Sequence, residues 1–232
     1  MEGRRQLVPP FKYTLAARRD RSRQAFDRLH ELYPKPICSL VHRTPLELLI
    51  ATILSAQCTD DRVNIVTKPL FKKYKNAEAF VAVPPEELEK DVQTCGFYRM
   101  KAKNIRGTCQ KIIDDHNGIV PKTQAELIKL NGVGRKTANV VLGECFGIPG
   151  VVVDTHCGRI ARRLGLTKEQ DPTKAEFDLM KVWPEEDWTR NSHTTIYHGR
   201  ATCQSRSPKC GECVVYDLCP FPHTREGKKI AK

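Results

Sequence analysis

The sequence of 232 residues contains no hydrophobic run long enough to cross a lipid bilayer. Its longest apolar stretch, residues 46–56, is too short for a membrane-spanning helix and contains Glu47. The first five residues are followed by no apolar segment of the kind that forms a signal peptide. These absences predict a soluble protein with no membrane partner. They indicate a bacterial cytoplasm, in association with the nucleoid, and leave a nucleus open.

Acidic residues are too few to balance the basic ones. The chain has 27 Asp and Glu against 39 Lys and Arg, a net charge of +12. Residues 99–111 alone hold five basic and no acidic side chains. A soluble chain with such a surplus commonly binds a polyanion, and nucleic acid is the leading candidate. Charged surfaces are often only solvated, so composition alone leaves roughly even odds.

Patterns typical of β-strands, internal repeats and low-complexity tracts are lacking. Apolar residues recur instead at helical spacing, as in Phe26, Leu29 and Leu32. The one strand-like run, residues 151–153, stops at once. A hydrophobic content of 40% is too high for a disordered chain. The sequence therefore predicts an all-α protein of about ten short helices.

Cysteine, by contrast, is abundant. Of ten cysteines, six are scattered and fit buried small hydrophobes, whereas four crowd into residues 203–219. Without a secretory signal, such a crowd more often binds metal than forms disulfides. The pattern Cys203-x6-Cys210-x2-Cys213-x5-Cys219 matches neither the paired ligands of zinc ribbons nor bacterial ferredoxins. It favours an iron–sulfur cluster over zinc by about two to one.

A tight turn between two helices lies at residues 131–134, Asn-Gly-Val-Gly. Thr123 and Glu126 fit a capping box at the start of the first helix, and the second begins near Arg135. Glycines let a partner approach the backbone closely, and free amides at a helix start suit a phosphate. A lone pair of glycines is more often an ordinary turn, and that alternative stays open.

Lys136 lies in the first turn of the second helix. The positive end of the helix dipole and the charge of Arg135 both disfavour its protonation. Val140, one helical turn further on, is placed to desolvate it. A lysine amine is unreactive at its usual pKa of about 10.4, so these influences would make Lys136 a nucleophile. A lysine that only contacts phosphate is the alternative.

Asp154 follows the apolar residues 151–153 and precedes a helix. An acid in this position is normally an N-cap, an interpretation favoured by about two to one for the motif alone. A capping aspartate can still present one oxygen to a cleft, so the two roles can coexist. His156 and His198 lie in no metal-ligand pattern and are interpreted as packing or hydrogen-bonding residues.

Together these features resemble the endonuclease III family of DNA glycosylases, in the helix–hairpin–helix superfamily. Residues 130–142 look like its hairpin, residues 153–156 like its catalytic aspartate segment, and the four cysteines like its cluster loop. Residues 54–60 and 96–98 resemble further family segments. Asn131 stands where the family commonly has proline, which would loosen the turn. Phe97 stands where leucine is frequent, which leaves the opposite-base preference open.

The resemblance implies two all-α domains with a DNA cleft. A six-helix domain at residues 38–148 would carry the helix–hairpin–helix, about residues 123–146, and Lys136. A discontinuous domain, residues 1–37 with 149–232, would carry Asp154 and a [4Fe-4S] cluster. The implied cluster ligands are Cys203, Cys210, Cys213 and Cys219. No role follows for residues 1–19.

The resemblance further implies a monomeric bifunctional DNA glycosylase/AP lyase of base excision repair, acting on damaged double-stranded DNA. It would remove oxidised pyrimidines such as thymine glycol and cut 3′ to the abasic site by β-elimination. Lys136 would form the Schiff base and Asp154 would stabilise the cationic sugar. The implied DNA-binding residues are Gln57, which fills the gap left by the extruded base, Phe97, a wedge, and the hairpin residues Gly132, Val133, Gly134 and Arg135.

Three alternatives stay open. A monofunctional glycosylase would use water as the nucleophile on the same scaffold, although such relatives generally lack the hairpin lysine. A non-enzymatic DNA-binding module would explain the charge and the hairpin, but not Lys136 and Asp154 at the family's spacing. A zinc-binding regulator fits the cysteine spacing poorly.

Overall fold

The computed structural model describes residues 11–231, and no β-strand occurs among them. The expected all-α fold is therefore confirmed, with twelve α-helices in this part of the chain. The strand-like residues 151–153 are buried but irregular, and they lead directly into a helix. The helices are α1 (Leu15–Leu32), α2 (Pro45–Leu54), α3 (Asp60–Lys73), α4 (Ala77–Ala82), α5 (Pro85–Val92), α6 (Tyr98–His116), α7 (Gln124–Leu127), α8 (Arg135–Phe146), α9 (Thr155–Arg163), α10 (Pro172–Val182), α11 (Trp188–Ala201) and α12 (Gly227–Ile230).

The chain divides into two compact units. Cys38–Gly150 forms one, the hairpin unit, and Met1–Ile37 together with Val151–Lys232 forms the other, the cysteine unit. The six scattered cysteines, which the sequence does not assign to the metal centre, divide equally between buried and half-buried positions. Three are buried and three are half-buried, so the prediction of six buried thiols is right for half of them: Cys95, Cys109 and Cys157 are buried, and Cys38, Cys58 and Cys145 are half-buried.

Helix α2 is the centre of the hairpin unit. Thr44 caps it by accepting a hydrogen bond from the Glu47 amide, and Pro45 occupies its first turn, where no backbone donor is needed. Every residue from Leu48 to Leu54 is buried, in contact with α3, α6 and α8. The longest apolar stretch of the sequence is thus a core helix. No helix of residues 11–231 is long and apolar enough to span a membrane.

The core of the cysteine unit joins segments that are far apart in sequence. Phe26 and Leu29 of α1 pack with Ile160, Leu179 and Trp183 from the C-terminal segment. The rings of Phe26 and Trp183 meet edge to face with centroids 5.2 Å apart. Burying these side chains together attaches α1 to a segment more than a hundred residues away, because apolar burial stabilises by about 25 cal/mol per Å².

A buried arginine anchors the start of α1 in the same unit. Arg21 donates hydrogen bonds to the carbonyls of Leu164 and Lys12. Its guanidinium carbon lies 5.4 Å from the ring centroids of both Phe11 and Tyr13. Residues 11–14, part of the extension for which the sequence suggests no role, therefore pack on this unit. Residues 1–10 of that extension lie outside the described part.

Candidate functional site

The hairpin begins with the predicted cap. Thr123 Oγ1 accepts a hydrogen bond from the Glu126 amide at 3.3 Å, and its hydroxyl donates to the Glu126 carboxylate at 2.6 Å. After α7, Gly132 turns the chain with φ of +73°. A Cβ at this position would lie 2.7 Å from Asn104 Nδ2, so both the backbone conformation and the space require glycine.

The turn leaves two glycine amides available to a ligand. Gly132 and Gly134 are exposed, and within residues 11–231 neither amide donates a hydrogen bond to a protein group. The Val133 amide, in contrast, donates to the Leu130 carbonyl at 3.2 Å, and its side chain is only 6% exposed. Of the residues expected to bind DNA here, Val133 therefore contributes packing, while the glycines supply donors suited to an anion.

Side chains of helix α6 hold the hairpin turn through hydrogen bonds to its backbone. Thr108 Oγ1 donates to the Asn131 carbonyl at 2.7 Å, and Lys111 Nζ donates to the Lys129 carbonyl, also at 2.7 Å. Asn131 packs against Gly107, where a Cβ would lie 2.9 Å from its Cγ. These contacts restrain the turn at the position where asparagine replaces the family's usual proline.

Lys136 lies where the sequence predicts, but in different surroundings. It occupies the first turn of α8, whose N-cap is Gly134 and therefore provides no capping side chain. Its side chain is exposed, whereas Val140 is 5% exposed and packs into the core. The expected desolvation of Lys136 by Val140 is therefore wrong. Lys136 and the preceding Arg135 lie at the positive start of this helix.

Gln57 and Phe97 stand out by their backbones. Both have positive φ, +52° and +45°, in the left-handed region that non-glycine residues rarely adopt. Gln57 is exposed after the end of α2, and Phe97 is 70% exposed immediately before α6. Such backbone strain costs on the order of 1–3 kcal/mol and concentrates at functional sites. A large exposed aromatic ring held this way suits insertion into a partner.

Asp154 is the N-cap of α9, as the simpler interpretation predicts. Its Oδ1 accepts a hydrogen bond from the Cys157 amide at 2.7 Å. No donor among residues 11–231 is recorded for Oδ2, and the side chain is half-exposed. One oxygen therefore caps the helix and the other remains available, so the capping and chemical roles are compatible.

The four clustered cysteines line one cavity in the cysteine unit. His198, Leu164, Val215, Phe221 and other mainly apolar side chains complete its wall. Burial, with a smaller contribution from the neighbouring cysteines, raises the pKa of Cys213 to about 11 and that of Cys219 to about 12. Thiols in such surroundings keep their protons until a metal displaces them.

The donor set fits an iron–sulfur cluster better than zinc. A zinc ion with Zn–S bonds of about 2.3 Å would bring four sulfurs within about 3.8 Å of one another. In the described part of the chain, no three His, Cys, Asp or Glu side chains are grouped around one metal-ion position. Four thiols that line one shared cavity suit a multi-iron centre.

Two arginines of α9 hold the start of the cysteine loop, and the sequence analysis missed both. Arg163 donates to Cys203 Sγ at 3.3 Å and to the carbonyls of Gln204 and Ser205 at 2.7 and 2.8 Å. Arg159 donates to the Cys203 carbonyl at 3.1 Å. The two arginines lie four residues apart in the helix that follows Asp154, and this spacing was the available signal, since it places both on one helix face.

His198 contacts the cysteine cluster as well. Its Nε2 lies 3.6 Å from Cys213 Sγ, and burial lowers its pKa to about 4. His156 Nδ1 lies 3.1 Å from a nitrogen of Arg159. Both contacts fit the interpretation of His156 and His198 as packing or hydrogen-bonding residues. Among the expected site residues, the hairpin unit carries Gln57, Phe97 and Lys136 and the cysteine unit carries Asp154 and the four cysteines.

The family model described as HhH-GPD superfamily base excision DNA repair protein matches residues 50–185, more than half of the chain. The fold and the site thus define a helix–hairpin–helix protein of base excision repair. Endonuclease III of Synechocystis sp. is 51% identical over 207 residues, which cover 89% of this chain and 94% of that protein. The chain belongs to the endonuclease III family.

Further comparisons agree. Endonuclease III of Bacillus subtilis is 47% identical over 207 residues, which cover 89% of this chain and 94% of that protein. A solved non-covalent endonuclease III–DNA complex has 47% identity and a TM-score of 0.85, covering 91% of this chain and 97% of that one. The model for the iron–sulfur binding domain of endonuclease III matches residues 203–219.

The family membership establishes the class of activity and the cofactor. The chain is an enzyme of base excision repair, of the DNA N-glycosylase and abasic-site lyase class. Its cofactor is a [4Fe-4S] cluster, as the family resemblance implies, so the preference for a cluster over zinc is confirmed and the zinc alternative is wrong. The matched segment begins at Cys203 and ends at Cys219, so all four cysteines lie within it.

Proposed function

We propose that this chain acts as a monomer on damaged duplex DNA, removes oxidised pyrimidines of the thymine-glycol type and cleaves 3′ to the resulting abasic site. The observation that carries the proposal is the exposed Lys136, which follows directly on two exposed glycine amides free of protein partners. A phosphate on these amides would bring a deoxyribose within reach of the amine. A lysine at this position supports a bifunctional enzyme, since it supplies an amine that can form a Schiff base.

DNA binding begins with the backbone and continues with the damaged base. Gly132 and Gly134 amides and Arg135 hold phosphates, which positions the duplex without reading sequence. The damaged base leaves the stack, at a cost of a few kcal/mol that is smaller for a damaged base. Gln57 fills the gap and Phe97 enters between bases of the opposite strand. Their exposed side chains on strained backbone support these two roles.

Lys136 then carries the chemistry. Its neutral amine attacks the anomeric carbon of the sugar, and the bond from that carbon to the base breaks, so the base leaves with the electron pair and takes a proton. The nitrogen lone pair then opens the ring, the ring oxygen takes a proton, and a protonated Schiff base forms between Lys136 and the sugar. This imine acidifies the adjacent C2′ proton, and its removal expels the 3′ phosphate by β-elimination. Hydrolysis of the imine releases Lys136.

Asp154 assists at two stages. Its carboxylate stabilises the positive charge that develops on the sugar as the base departs, and it accepts or returns protons at Lys136. The uncapped Oδ2 supports this role, because Oδ1 is occupied by the Cys157 amide. The [4Fe-4S] cluster supplies no step of this chemistry; when bound, it orders the loop of residues 203–219, whose basic side chains contact the DNA backbone.

An assay on two duplexes tests this proposal. We expect wild-type protein to excise thymine glycol and to nick an abasic duplex, with binding that weakens steeply between low and physiological salt through counterion release. A monofunctional glycosylase would excise without nicking, and a DNA-binding module would do neither. Either outcome would contradict the proposed function, and a second species in sizing chromatography of the DNA complex would contradict the monomer.

A further inference from the structure

A buried lysine joins two segments of the hairpin unit. Lys101, in the first turn of α6, is only 4% exposed. Its Nζ donates to the Leu54 carbonyl at 2.8 Å and to the Cys95 carbonyl at 2.6 Å. Leu54 is the last residue of α2, and Cys95 is the last residue of the 3-10 turn Gln93–Cys95. One amine thus satisfies a carbonyl at the end of each of two elements.

Burial of this amine costs free energy, because the amine loses its contact with water. No carboxylate among residues 11–231 forms an ion pair with Lys101. Burial lowers its pKa, since an unpaired charge is disfavoured away from water. A methionine or leucine would fill similar space without that cost. Lysine offers, in addition, several donors on a flexible stem, which suits carbonyls left without partners at helix ends.

Both carbonyls immediately precede strained loops. Residues 55–58 contain Gln57 with φ of +52°, and residues 96–97 contain Gly96 and Phe97 with φ of +65° and +45°. We call these two segments the left-handed loops. Strained conformations persist only where the surroundings over-determine them. The two hydrogen bonds of Lys101 provide such a restraint at the point where each loop leaves its helix.

We infer that Lys101 is a positioning residue, which holds the two left-handed loops together so that Gln57 and Phe97 enter the DNA as one unit. The inference rests on the proposed function, and it assigns Lys101 no contact with DNA, because its side chain is buried. Three of the five basic residues in the stretch 99–111 bind backbone carbonyls of the protein itself. Lys101, Arg106 and Lys111 all donate to backbone carbonyls.

The test compares Lys101→Met with wild type on three DNAs. The first is a thymine-glycol duplex, the second a single-stranded abasic oligonucleotide, and the third a duplex with an uncleavable tetrahydrofuran site opposite 2-aminopurine. The single strand has no opposite strand for Phe97 to enter. The fluorescence of 2-aminopurine rises when the base opposite the site is unstacked, so it reports insertion without requiring cleavage. Cys109→Ala, a buried change on the same helix, serves as the control for general destabilisation.

We expect single-turnover excision from the duplex, at saturating Lys101→Met, to fall about 10- to 100-fold, because small displacements of positioning groups have effects of this size. The fluorescence rise should shrink in parallel, while cleavage of the single-stranded abasic DNA stays within about twofold of the Cys109→Ala control. Equal losses on duplex and single strand would overturn the inference, as would a wild-type fluorescence rise in Lys101→Met.

A double-mutant cycle separates positioning from folding. If Lys101 acts through the loops, adding Lys101→Met to a Gln57→Ala/Phe97→Ala protein should cost less than about threefold further. Fully multiplicative losses would show that Lys101 supports only the fold, and would overturn the inference. If Lys101→Met does not fold, Lys101→Gln, which keeps a hydrogen-bond donor, replaces it in the same double-mutant cycle. If wild type excises normally and Lys101→Met excises equally well, the inference is refuted while the proposed function stands. If wild type itself is inactive, the proposed function is refuted.

Discussion

The two units hold their functional segments by different means. In the hairpin unit, the turn and the left-handed loops are attached to α2 and α6 by core packing and by Lys101, Thr108 and Lys111. In the cysteine unit, residues 203–219 contain only two 3-10 turns and depend on guanidinium groups from α9. The hairpin geometry thus rests on contacts within the chain, whereas the cysteine loop surrounds a cavity lined by its four cysteines.

The helices that carry the proposed catalytic residues show the same contrast. Helix α8 starts after Gly134, which leaves its positive end open to an anion. Helix α9 starts with Asp154, whose own carboxylate occupies the positive end. One helix start is therefore prepared for a phosphate and presents Lys136 beside it. The other is closed by the residue that we expect to assist the chemistry.

Removal of one cluster ligand should break this comparison most severely. Cys213→Ser replaces a thiolate with a poor iron ligand, so iron should fall from about four atoms per chain to near none, together with the visible absorbance band. Amide hydrogen exchange should accelerate in the cysteine unit and remain slow in α2 and α6. Cys145→Ser is the control and should retain its iron. Full iron content, or equal loss of protection in both units, would contradict the account.

The next largest effect is expected at Asp154. Asparagine caps helices as well as aspartate, so Asp154→Asn should change the free energy of unfolding by less than about 0.5 kcal/mol. Base excision should nevertheless fall by about 10²- to 10⁴-fold, the usual contribution of a general acid–base group. The matched control is Asp171→Asn at the N-cap of α10. Activity that falls only in proportion to stability would leave Asp154 as a cap alone.

The arginine support of the cysteine loop should cost less. Arg163→Met removes three hydrogen bonds from a buried cation and leaves two carbonyls without their donor. We expect a loss of about 2–4 kcal/mol in the free energy of unfolding. Urea titration followed through the cluster absorbance measures it. Arg162→Met, the neighbour that donates only to the Glu169 carbonyl, should cost far less. Equal costs would mean that the loop is held by packing alone.

The smallest effect sharpens the comparison on the hairpin side. Thr108→Val keeps the shape of the side chain but leaves the Asn131 carbonyl without its donor. The free energy of unfolding should drop by about 1 kcal/mol. Affinity for an abasic-analogue duplex should weaken more than in the Thr67→Val control, whose hydroxyl bonds only within its own helix. The same affinity in both variants would show that Thr108 does not hold the turn.

Features that depend on neighbouring residues could be predicted from the sequence. The cap at Thr123, the glycine at 132 and the aspartate at the start of α9 each follow from local backbone needs. A metal centre within residues 203–219 followed from the crowding of four cysteines and the absence of a secretory signal. The all-α fold followed from helical periodicity without strand alternation.

Features that depend on distant contacts could not be predicted in this way. Lys101 bonds to a carbonyl 47 positions away, and Arg163 to carbonyls 41 and 42 positions away. In the sequence, Lys101 looked like one more solvated cation of a basic stretch. Val140 lies one helical turn after Lys136, but its side chain packs in the core and does not cover the amine. Helical spacing restricts which residues share a face, but the partner of that face is set by tertiary structure.

The most direct test of the central claim is borohydride trapping on an abasic duplex. Reduction of the Schiff base should convert it into a stable covalent protein–DNA adduct with wild-type protein. Lys136→Ala should give no adduct, whereas Lys122→Ala, which removes another exposed lysine of the same unit, should trap as wild type does. An adduct of undiminished yield in Lys136→Ala would contradict the assignment of Lys136 as the nucleophile.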